Sequence, residues 1–172
     1  MPPAVRQPMF EGTFSITRTL LRAVGGMALA LGLIFVPLSP AFSGQIIIID
    51  TNLGATDVYG NGSPPNGSGP PTADTATDNA VNVLSGGAVG GNVYGGYAES
   101  YSGAATATGN SAAISGGTVS GSVYGGEAAS YSGAATATGN SVTVGGGTVN
   151  GDIYGGYTHS DLGAATATGN SV

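Results

Sequence analysis

Hydrophobic and polar residues alternate with a period of two along most of the chain after residue 43. In "NSVTVGGG" (140–147) the two valines alternate with serine and threonine, and in "AATATGN" (134–140) alanines alternate with threonines. This period is typical of β-strands, and the Gly-Asn and Gly-Gly pairs between the short runs are typical of turns. No apolar stripe of helical spacing competes with this pattern. The sequence after residue 43 therefore predicts an all-β structure of short strands.

The same short sequence motifs recur at a fixed spacing. "GAATATGNS" begins at Gly103, Gly133 and Gly163, so that 133 − 103 = 30 and 163 − 133 = 30, and "VYGG" or "IYGG" places Tyr94, Tyr124 and Tyr154 at the same period. A fixed period of this length is the signature of repeat architectures.

The repeat also continues upstream in altered form. "TATDN" (75–79) precedes "TATGN" (106–110) at an offset of 106 − 75 = 31, which predicts that one residue has been gained or lost within 79–87. Further upstream, "TDVYGNG" (56–62) has the form of a degenerate "VYGG" segment.

Two architectures fit these repeats. In a parallel β-solenoid each 30-residue repeat forms one coil and identical side chains stack about 4.8 Å apart, whereas in the alternative each repeat is an antiparallel hairpin or meander. We favour the solenoid because residue-for-residue repetition is what in-register stacking requires. In one repeat, strands are expected near 104–108, 111–115, 118–119 and 122–124. The interior is expected to consist of Ala, Val and Ile.

The first 43 residues have the pattern of a secretory signal peptide. Basic residues extend to Arg22, an apolar run follows from Ala23 to Leu38, and small residues precede a cleavage site expected between Ser43 and Gly44. The alternative is a membrane anchor, but the apolar run falls short of the roughly 20 residues that a spanning helix needs. We therefore expect export across the inner membrane, to a secreted or cell-surface location.

The rest of the chain divides by composition into three segments. Residues 44–62 form an N-terminal strand or cap segment that starts with "GQIIIID", and residues 63–73, "SPPNGSGPPTA", form a Pro/Gly/Ser-rich linker. Residues 74–172 form the repeat solenoid, which stops inside a repeat. Such an end exposes an unpaired strand edge, so we expect self-association through the solenoid ends.

Charge and cysteine content restrict the functions available to the chain. Eight of the nine acidic residues and none of the three Lys and Arg residues lie after residue 43. A segment without cations is poorly suited to bind nucleic acid or anionic lipid. Cysteine is absent, which excludes disulfides, thiolate metal sites and cysteine nucleophiles.

Units of the form "GNSVTVGGGTVNGDIYGGY" (139–157), the "IIIID" strand and the long leader resemble the passenger region of bacterial autotransporters, the type V secretion proteins. The resemblance covers roughly residues 75–172 and, more loosely, the leader. It implies a β-solenoid displayed at the cell surface, with outer-membrane association where a translocator barrel is present. It also implies a role in adhesion or as a scaffold. "ATATGNS" (105–111) is similar to the head repeats of trimeric autotransporter adhesins, but their period is shorter.

No catalytic, cofactor-binding or metal-binding residue is predicted. The acidic residues are scattered, and Glu99 and Glu127, at an offset of 127 − 99 = 28, are out of phase with the repeat. "THSD" (158–161) contains His, Ser and Asp, but sequence neighbours do not form the relay of a nucleophilic serine, so the segment is interpreted as a variable exposed loop. Asp152 has Asn92 and Ser122 as its repeat equivalents, which does not support a periodic calcium ladder. The carboxylates weighed as candidates for an enzymatic or metal site are Asp57, Asp74, Asp78, Glu99, Glu127, Asp152 and Asp161.

Two ladders of repeated side chains are the stronger candidates for a surface role. The Tyr column is expected either to pack or to expose a stacking platform for sugars. Paired Thr columns are expected on one outer face, as ordinary strand residues or as a flat array facing ice or glycans. The columns are Tyr94, Tyr124 and Tyr154, and Thr106/Thr108, Thr136/Thr138 and Thr166/Thr168.

The sequence as a whole predicts a non-enzymatic, exported repeat protein with an adhesion or scaffold role. Host or cell-surface glycans or proteins are the candidate partners, and variation in the predicted loops 97–102, 127–132 and 157–162 is expected to tune binding. The alternatives are a polysaccharide-acting β-helix enzyme, a lyase or hydrolase with paired carboxylates, and a passive structural spacer.

Overall fold

Strands form where the period-two pattern predicts them, and each pairs in parallel with the strand one repeat away. The computed structural model describes residues 44–62 and 66–172, which form an all-β parallel solenoid of four coils without a helix. The parallel solenoid is therefore confirmed, and the antiparallel alternative is wrong. The predicted signal peptide, 1–43, lies outside the described residues.

The coils contain fourteen strands. Coil 1 has β1 (Ile46–Ile49), β2 (Val58–Tyr59) and β3 (Thr75–Thr77); coil 2 has β4 (Ala80–Val83), β5 (Ala88–Val89), β6 (Val93–Tyr94), β7 (Tyr97–Ser100) and β8 (Ala105–Thr108). Coil 3 has β9 (Ser111–Val119), β10 (Val123–Ser130) and β11 (Ala135–Thr138); coil 4 has β12 (Ser141–Val149), β13 (Ile153–Ser160) and β14 (Ala165–Thr168).

The strands form three sheets along the solenoid. Sheet 1 has the order β1-β4-β9-β12 with β5 also paired to β9, sheet 2 has the order β2-β6-β10-β13 with β7 also paired to β10, and sheet 3 has the order β3-β8-β11-β14. Like residues of successive repeats are direct partners, as for Tyr124 with Tyr94 and Tyr154. Val58 and Tyr59 pair with Val93 and Tyr94, which confirms that "TDVYGNG" is a degenerate copy of the repeat.

The one-residue irregularity lies where the spacing predicts it. Val83 pairs with Ile114, an offset of 114 − 83 = 31, whereas Ala88 pairs with Thr118, an offset of 118 − 88 = 30. The additional residue of coil 2 is therefore placed between Val83 and Ala88, within the predicted segment 79–87.

Strands are longer than predicted around the Gly-Gly pairs. The runs expected at 111–115 and 118–119 are one strand, β9, and the strand expected at 122–124 continues to Ser130 as β10. A side chain at Gly126 would collide with the Asn140 side chain, so the glycines allow close packing rather than a turn. The loop interpretation of 97–102, 127–132 and 157–162 is consequently wrong for the first four residues of each segment, which are in strands.

Two apolar clusters fill the interior, and their composition confirms the predicted Ala, Val and Ile core. The larger cluster contains Ile and Val from sheets 1 and 2 with Ala112, and the smaller one consists of alanines from sheets 2 and 3. The inward side of β8 carries only Ala105 and Ala107, both fully buried. Small side chains bring sheets 2 and 3 close together at this corner, because nothing larger separates them.

A ladder of asparagines, most of them buried, closes the corner between sheets 3 and 1. The ladder consists of Asn79, Asn110, Asn140 and Asn170. The backbone N–H and the side-chain Nδ2 of Asn110 both donate to Oδ1 of Asn140, at 2.9 and 3.0 Å. The same Nδ2 also donates to the carbonyl of Ala76 at 2.9 Å. Each amide therefore satisfies the polar groups of its neighbours in an interior that water does not reach.

The first coil also contacts the predicted linker. The Tyr59 backbone N–H donates to the Gly67 carbonyl at 2.9 Å.

In β1, Ile47 and Ile49 point into the core, whereas Ile46 and Ile48 are exposed. "GQIIIID" thus supplies the first strand of sheet 1.

Candidate functional site

All eight tyrosines of the chain lie on the strands of sheet 2 or directly after them, on the outward side, which we call the tyrosine face. The inward positions of β10 are buried and alternate with outward positions that are partly exposed. The columns run along the solenoid axis, one residue per coil. They are Tyr59/Tyr94/Tyr124/Tyr154, Tyr97/Glu127/Tyr157, Glu99/Ala129/His159 and Tyr101/Tyr131/Asp161.

The first column is a continuous stack of four rings. Ring centroids are 4.8 Å apart from Tyr59 to Tyr94 and from Tyr94 to Tyr124, and 5.2 Å apart from Tyr124 to Tyr154. The three interplanar angles are 2°, 8° and 12°, which confirms the predicted column and adds Tyr59 to it. Tyr94 is only 9% exposed and its ring faces are covered by its neighbours. The column therefore packs, and it does not offer ring faces as a platform for sugars.

Burial strengthens the preference of the Tyr59, Tyr94 and Tyr124 phenols for the neutral form, which tyrosine already favours at neutral pH. It raises the pKa of Tyr59 to about 12, and the nearby Asp57 carboxylate, which accepts a hydrogen bond from that phenol, contributes to the rise. Burial also raises the pKa of Tyr94. The edge of the stack therefore presents hydroxyl groups rather than phenolates.

The second column interrupts its tyrosines with a carboxyl group. Tyr97 packs edge-on against Tyr59 and Tyr94, each at 5.4 Å, and Glu127 lies opposite Tyr97 and Tyr157 in the register. Burial raises the pKa of Glu127 to about 7. Sequence reasoning placed Glu127 out of phase with Glu99 but missed its position between two tyrosines. The sequence shows this position when the repeats "VYGGY", "VYGGE" and "IYGGY" are aligned, because the fifth residue is tyrosine in the first and third and Glu127 in the second.

Two further groups act on the Glu127 carboxyl from the third column. The imidazole of His159 lowers its pKa, and the carboxylate of Glu99 raises it by a smaller amount. Both effects are weaker than burial, so the carboxyl gains its proton near neutral pH, unlike an ordinary surface glutamate.

The "THSD" segment does not form a catalytic relay. His159 Nε2 lies 2.9 Å from Asp161 Oδ1 on the outer surface. Ser160 points to the other side of the strand, where its Oγ donates to the Gly133 carbonyl at 2.8 Å and accepts from the Gly163 N–H at 2.9 Å. This serine is therefore part of the corner between sheets 2 and 3.

The column of Asp57 and Asp152 is bonded to the backbone. Asp57 Oδ1 accepts from the Asn92 N–H at 2.7 Å, Asn92 Oδ1 from the Ser122 N–H at 2.8 Å, and Ser122 Oγ from the Asp152 N–H at 3.1 Å. Asn92, Ser122 and Asp152 are thus equivalents, as predicted, and Asp57 takes the same position in coil 1. Within 44–62 and 66–172, no three His, Asp or Glu side chains gather in a way that could hold a metal ion.

The outward side of sheet 3 carries paired threonines in register, and we call it the threonine face. Thr106 pairs with Thr136 and Thr136 with Thr166, and Thr108, Thr138 and Thr168 form the parallel column. Coil 1 extends both columns through Thr75 and Thr77. The face is thus two threonines wide, as predicted, and four coils long, one coil more than the predicted columns.

No family model matches this chain, and no curated protein and no solved structure matches it. In the part of the chain that the structure describes, no helix is long and apolar enough to cross a membrane. Functional inference therefore depends on the chemistry of the two faces.

Proposed function

We propose that this chain is the repeat region of an exported, non-enzymatic surface protein, similar to an autotransporter passenger, and that it adheres to other proteins through the tyrosine face. The proposal is supported most directly by the placement of all eight tyrosines on one side of sheet 2. Tyrosine is enriched at protein interfaces because it combines a large apolar ring with a polar hydroxyl. Export is supported by the pattern of the leader.

The charge of the tyrosine face favours a partner surface rich in Lys and Arg. Glu99 and Asp161 lie among the tyrosines together with Glu127, which the raised pKa leaves only partly ionised near neutral pH, and Asp57 and Asp152 flank the first column. The sequence after residue 43 contains no Lys or Arg to neutralise them. Complementary charge accelerates encounter and selects between partners.

A protein partner fits the tyrosine face better than a flat-lying sugar. Sugars stack on exposed aromatic ring faces, and in the first column those ring faces cover one another. Hydroxyl groups and carboxylates at the ring edges are instead acceptors for the donors of Arg and Lys.

Binding of the full chain to a synthetic Arg- and Tyr-containing peptide tests this proposal, with a Glu-containing peptide of the same length as control. The variant Glu99→Ala/Asp161→Ala is expected to weaken binding about tenfold, because it removes two carboxylates of the face. Thr136→Ala on the threonine face is expected to have no effect. Equal binding of both peptides, or no loss in the double variant, would contradict the proposal and favour a passive spacer.

The threonine face supports a second candidate function, adsorption to ice. Eight threonines in two straight columns form an uncharged, evenly spaced surface. Coils of such a sheet are about 4.8 Å apart and alternate strand residues about 6.8 Å apart. A regular two-dimensional array of hydroxyl and methyl groups can order water over a flat surface, as ice binding requires.

Thermal hysteresis of the full chain tests the second candidate. Thr136→Lys places a charge in the middle of the array and is expected to abolish hysteresis, whereas Ala129→Lys makes a comparable change on the tyrosine face of the same coil and is expected to retain it. Absence of hysteresis in the unmodified chain, or equal loss in both variants, would refute ice adsorption.

A further inference from the structure

Tyr101 and Tyr131 form a stacked pair that differs from the other tyrosine stacks in exposure. Their ring centroids are 4.7 Å apart with an interplanar angle of 5°, so the pair is as close and as parallel as Tyr94 and Tyr124. Tyr101 is 69% exposed and Tyr131 is 45% exposed. The two rings belong to coils 2 and 3, and Asp161 takes the equivalent position in coil 4.

Tyrosine is the main side chain of residues 44–172 that one-electron oxidants attack. The chain has no Cys and no Trp, and all three methionines lie within residues 1–43. Oxidising equivalents that reach the solenoid therefore act on tyrosine, with His159 as the only competing histidine. Exposure favours Tyr101 and Tyr131, because an external oxidant must approach the phenol. Tyr157 is also exposed, at 39%, but its ring lies at 58–68° to its tyrosine neighbours and is not part of a parallel stack.

We propose that Tyr101 and Tyr131 are an oxidative cross-linking site, at which a dityrosine bond joins coil 2 to coil 3. The oxidant is hydrogen peroxide acting through a haem peroxidase. Each phenol loses one electron and one proton to give a phenoxyl radical, and the two radicals couple through a new bond between their Cε carbons. The hydrogen on each coupled carbon then moves to the ring oxygen, which restores both phenols. Hydrogen peroxide accepts the two electrons and two protons and leaves as two molecules of water.

The geometry favours coupling within one molecule. Register pairing holds Ser100 opposite Ser130, and the Tyr131 N–H donates to the Ser100 carbonyl at 3.0 Å, so the two backbones stay one strand spacing apart. The side chains are free to turn from the stacked arrangement towards edge contact, since both are exposed. Rings of the first column are equally close but are confined by packing, which restricts both access and turning.

In this cysteine-free chain the dityrosine bond would be a covalent cross-link that stabilises the fold, as a disulfide does in other proteins. It closes a loop from Tyr101 to Tyr131, one full repeat, and cross-links of this kind stabilise mainly by restricting the unfolded chain. We therefore expect the oxidised protein to unfold at a higher temperature than the untreated protein.

Treatment of the dilute full chain with peroxidase and hydrogen peroxide tests the site. Protease cleavage after Glu99 and Glu127 gives peptides 100–127 and 128–172, and the expected product is these two peptides joined with the loss of two hydrogens and with dityrosine fluorescence. Tyr131→Phe keeps the ring but removes the phenol, so the joined peptide is expected to be lost. Tyr124→Phe in the buried column is the matched control and is expected to retain it.

Fragmentation spectra identify the joined residues independently of either variant. Coupling at Tyr101 and Tyr131 in a monomer supports the proposal. Covalent dimers without an intramolecular product, or a joined peptide that persists in Tyr131→Phe, would overturn it. Circular dichroism of each variant before oxidation checks that it has folded, and Tyr101→Phe repeats the test if Tyr131→Phe does not fold.

Discussion

Replacement of one asparagine in the buried ladder, Asn110→Ala, should be among the most damaging single changes in the chain. The Asn110 side chain is fully buried. Its Oδ1 accepts from the backbone N–H and from Nδ2 of Asn79, both at 3.0 Å, and its Nδ2 donates to Ala76 and to Asn140. Alanine removes all four hydrogen bonds.

The cost follows from the groups that lose their partner. The Asn79 N–H, the Asn79 amide and the Ala76 carbonyl all lie at a dry corner of the solenoid. Leaving a buried polar group unsatisfied costs about 1–3 kcal/mol. With some relaxation towards water we expect a total loss of about 4 kcal/mol, a large part of the roughly 5–15 kcal/mol that is typical of folded domains.

Urea unfolding of the full chain, followed by far-UV circular dichroism, measures this loss. The matched control is Thr108→Ala, two residues earlier but on the outward side of β8, which we expect to change the free energy of unfolding by less than about 0.5 kcal/mol. A loss below about 1 kcal/mol in Asn110→Ala, or equal losses in both variants, would show that the ladder is not a main source of stability.

Two further predictions concern Glu127 and the glycines. Burial raises the pKa of Glu127 from 4.5 to about 7, so between these values the folded chain keeps a proton that the unfolded chain releases. The stabilisation that this group contributes is present below pH 4.5 and is lost as the pH rises through 7. The free energy of unfolding should therefore fall by about 2 kcal/mol over this range, after allowance for the partial exposure of the carboxyl, and the variant E127Q should lack this fall. An unchanged curve would contradict this. Gly126→Ala should destabilise by about 1–3 kcal/mol because its Cβ would meet Asn140, whereas Gly145→Ala, with open space around it, should be close to neutral; equal urea midpoints for the two variants would refute the packing role.

The repeat spacing predicted the sheet register because identical side chains reinforce only one alignment of the coils. Tyr124 faces Tyr94 and Tyr154 for that reason, and the irregularity between Val83 and Ala88 could be found by counting. Strand length could not be predicted in the same way. A Gly-Gly pair is compatible both with a turn and with a strand that passes close to another side chain, and only the packing at Gly126 decides between them.

The environment of Glu127 was also beyond sequence reasoning, although its alignment with tyrosines was available. Its pKa depends on how deeply its surroundings bury the carboxyl and on the distance to His159 in the next column. Both are properties of the outward side chains, whose conformations the repeat does not fix. The repeat does fix the interior positions of sheet 3, where each inward alanine faces an alanine of the neighbouring coil, and the asparagine ladder beside it.

Inward and outward positions therefore differ in what their repetition means. Repetition of Ala105 as Ala135 follows from packing, since both are fully buried, but many residues are acceptable on an outward strand surface. Copying of a repeat does not explain the threonines, which coils 3 and 4 share. These two coils differ at other outward positions, where Glu127 faces Tyr157 and Ala129 faces His159. Outside its first column, the tyrosine face has thus changed from coil to coil, while the threonine face has not. A face that varies suits recognition of an irregular partner, and a face that stays uniform over four coils suits a surface that is itself regular.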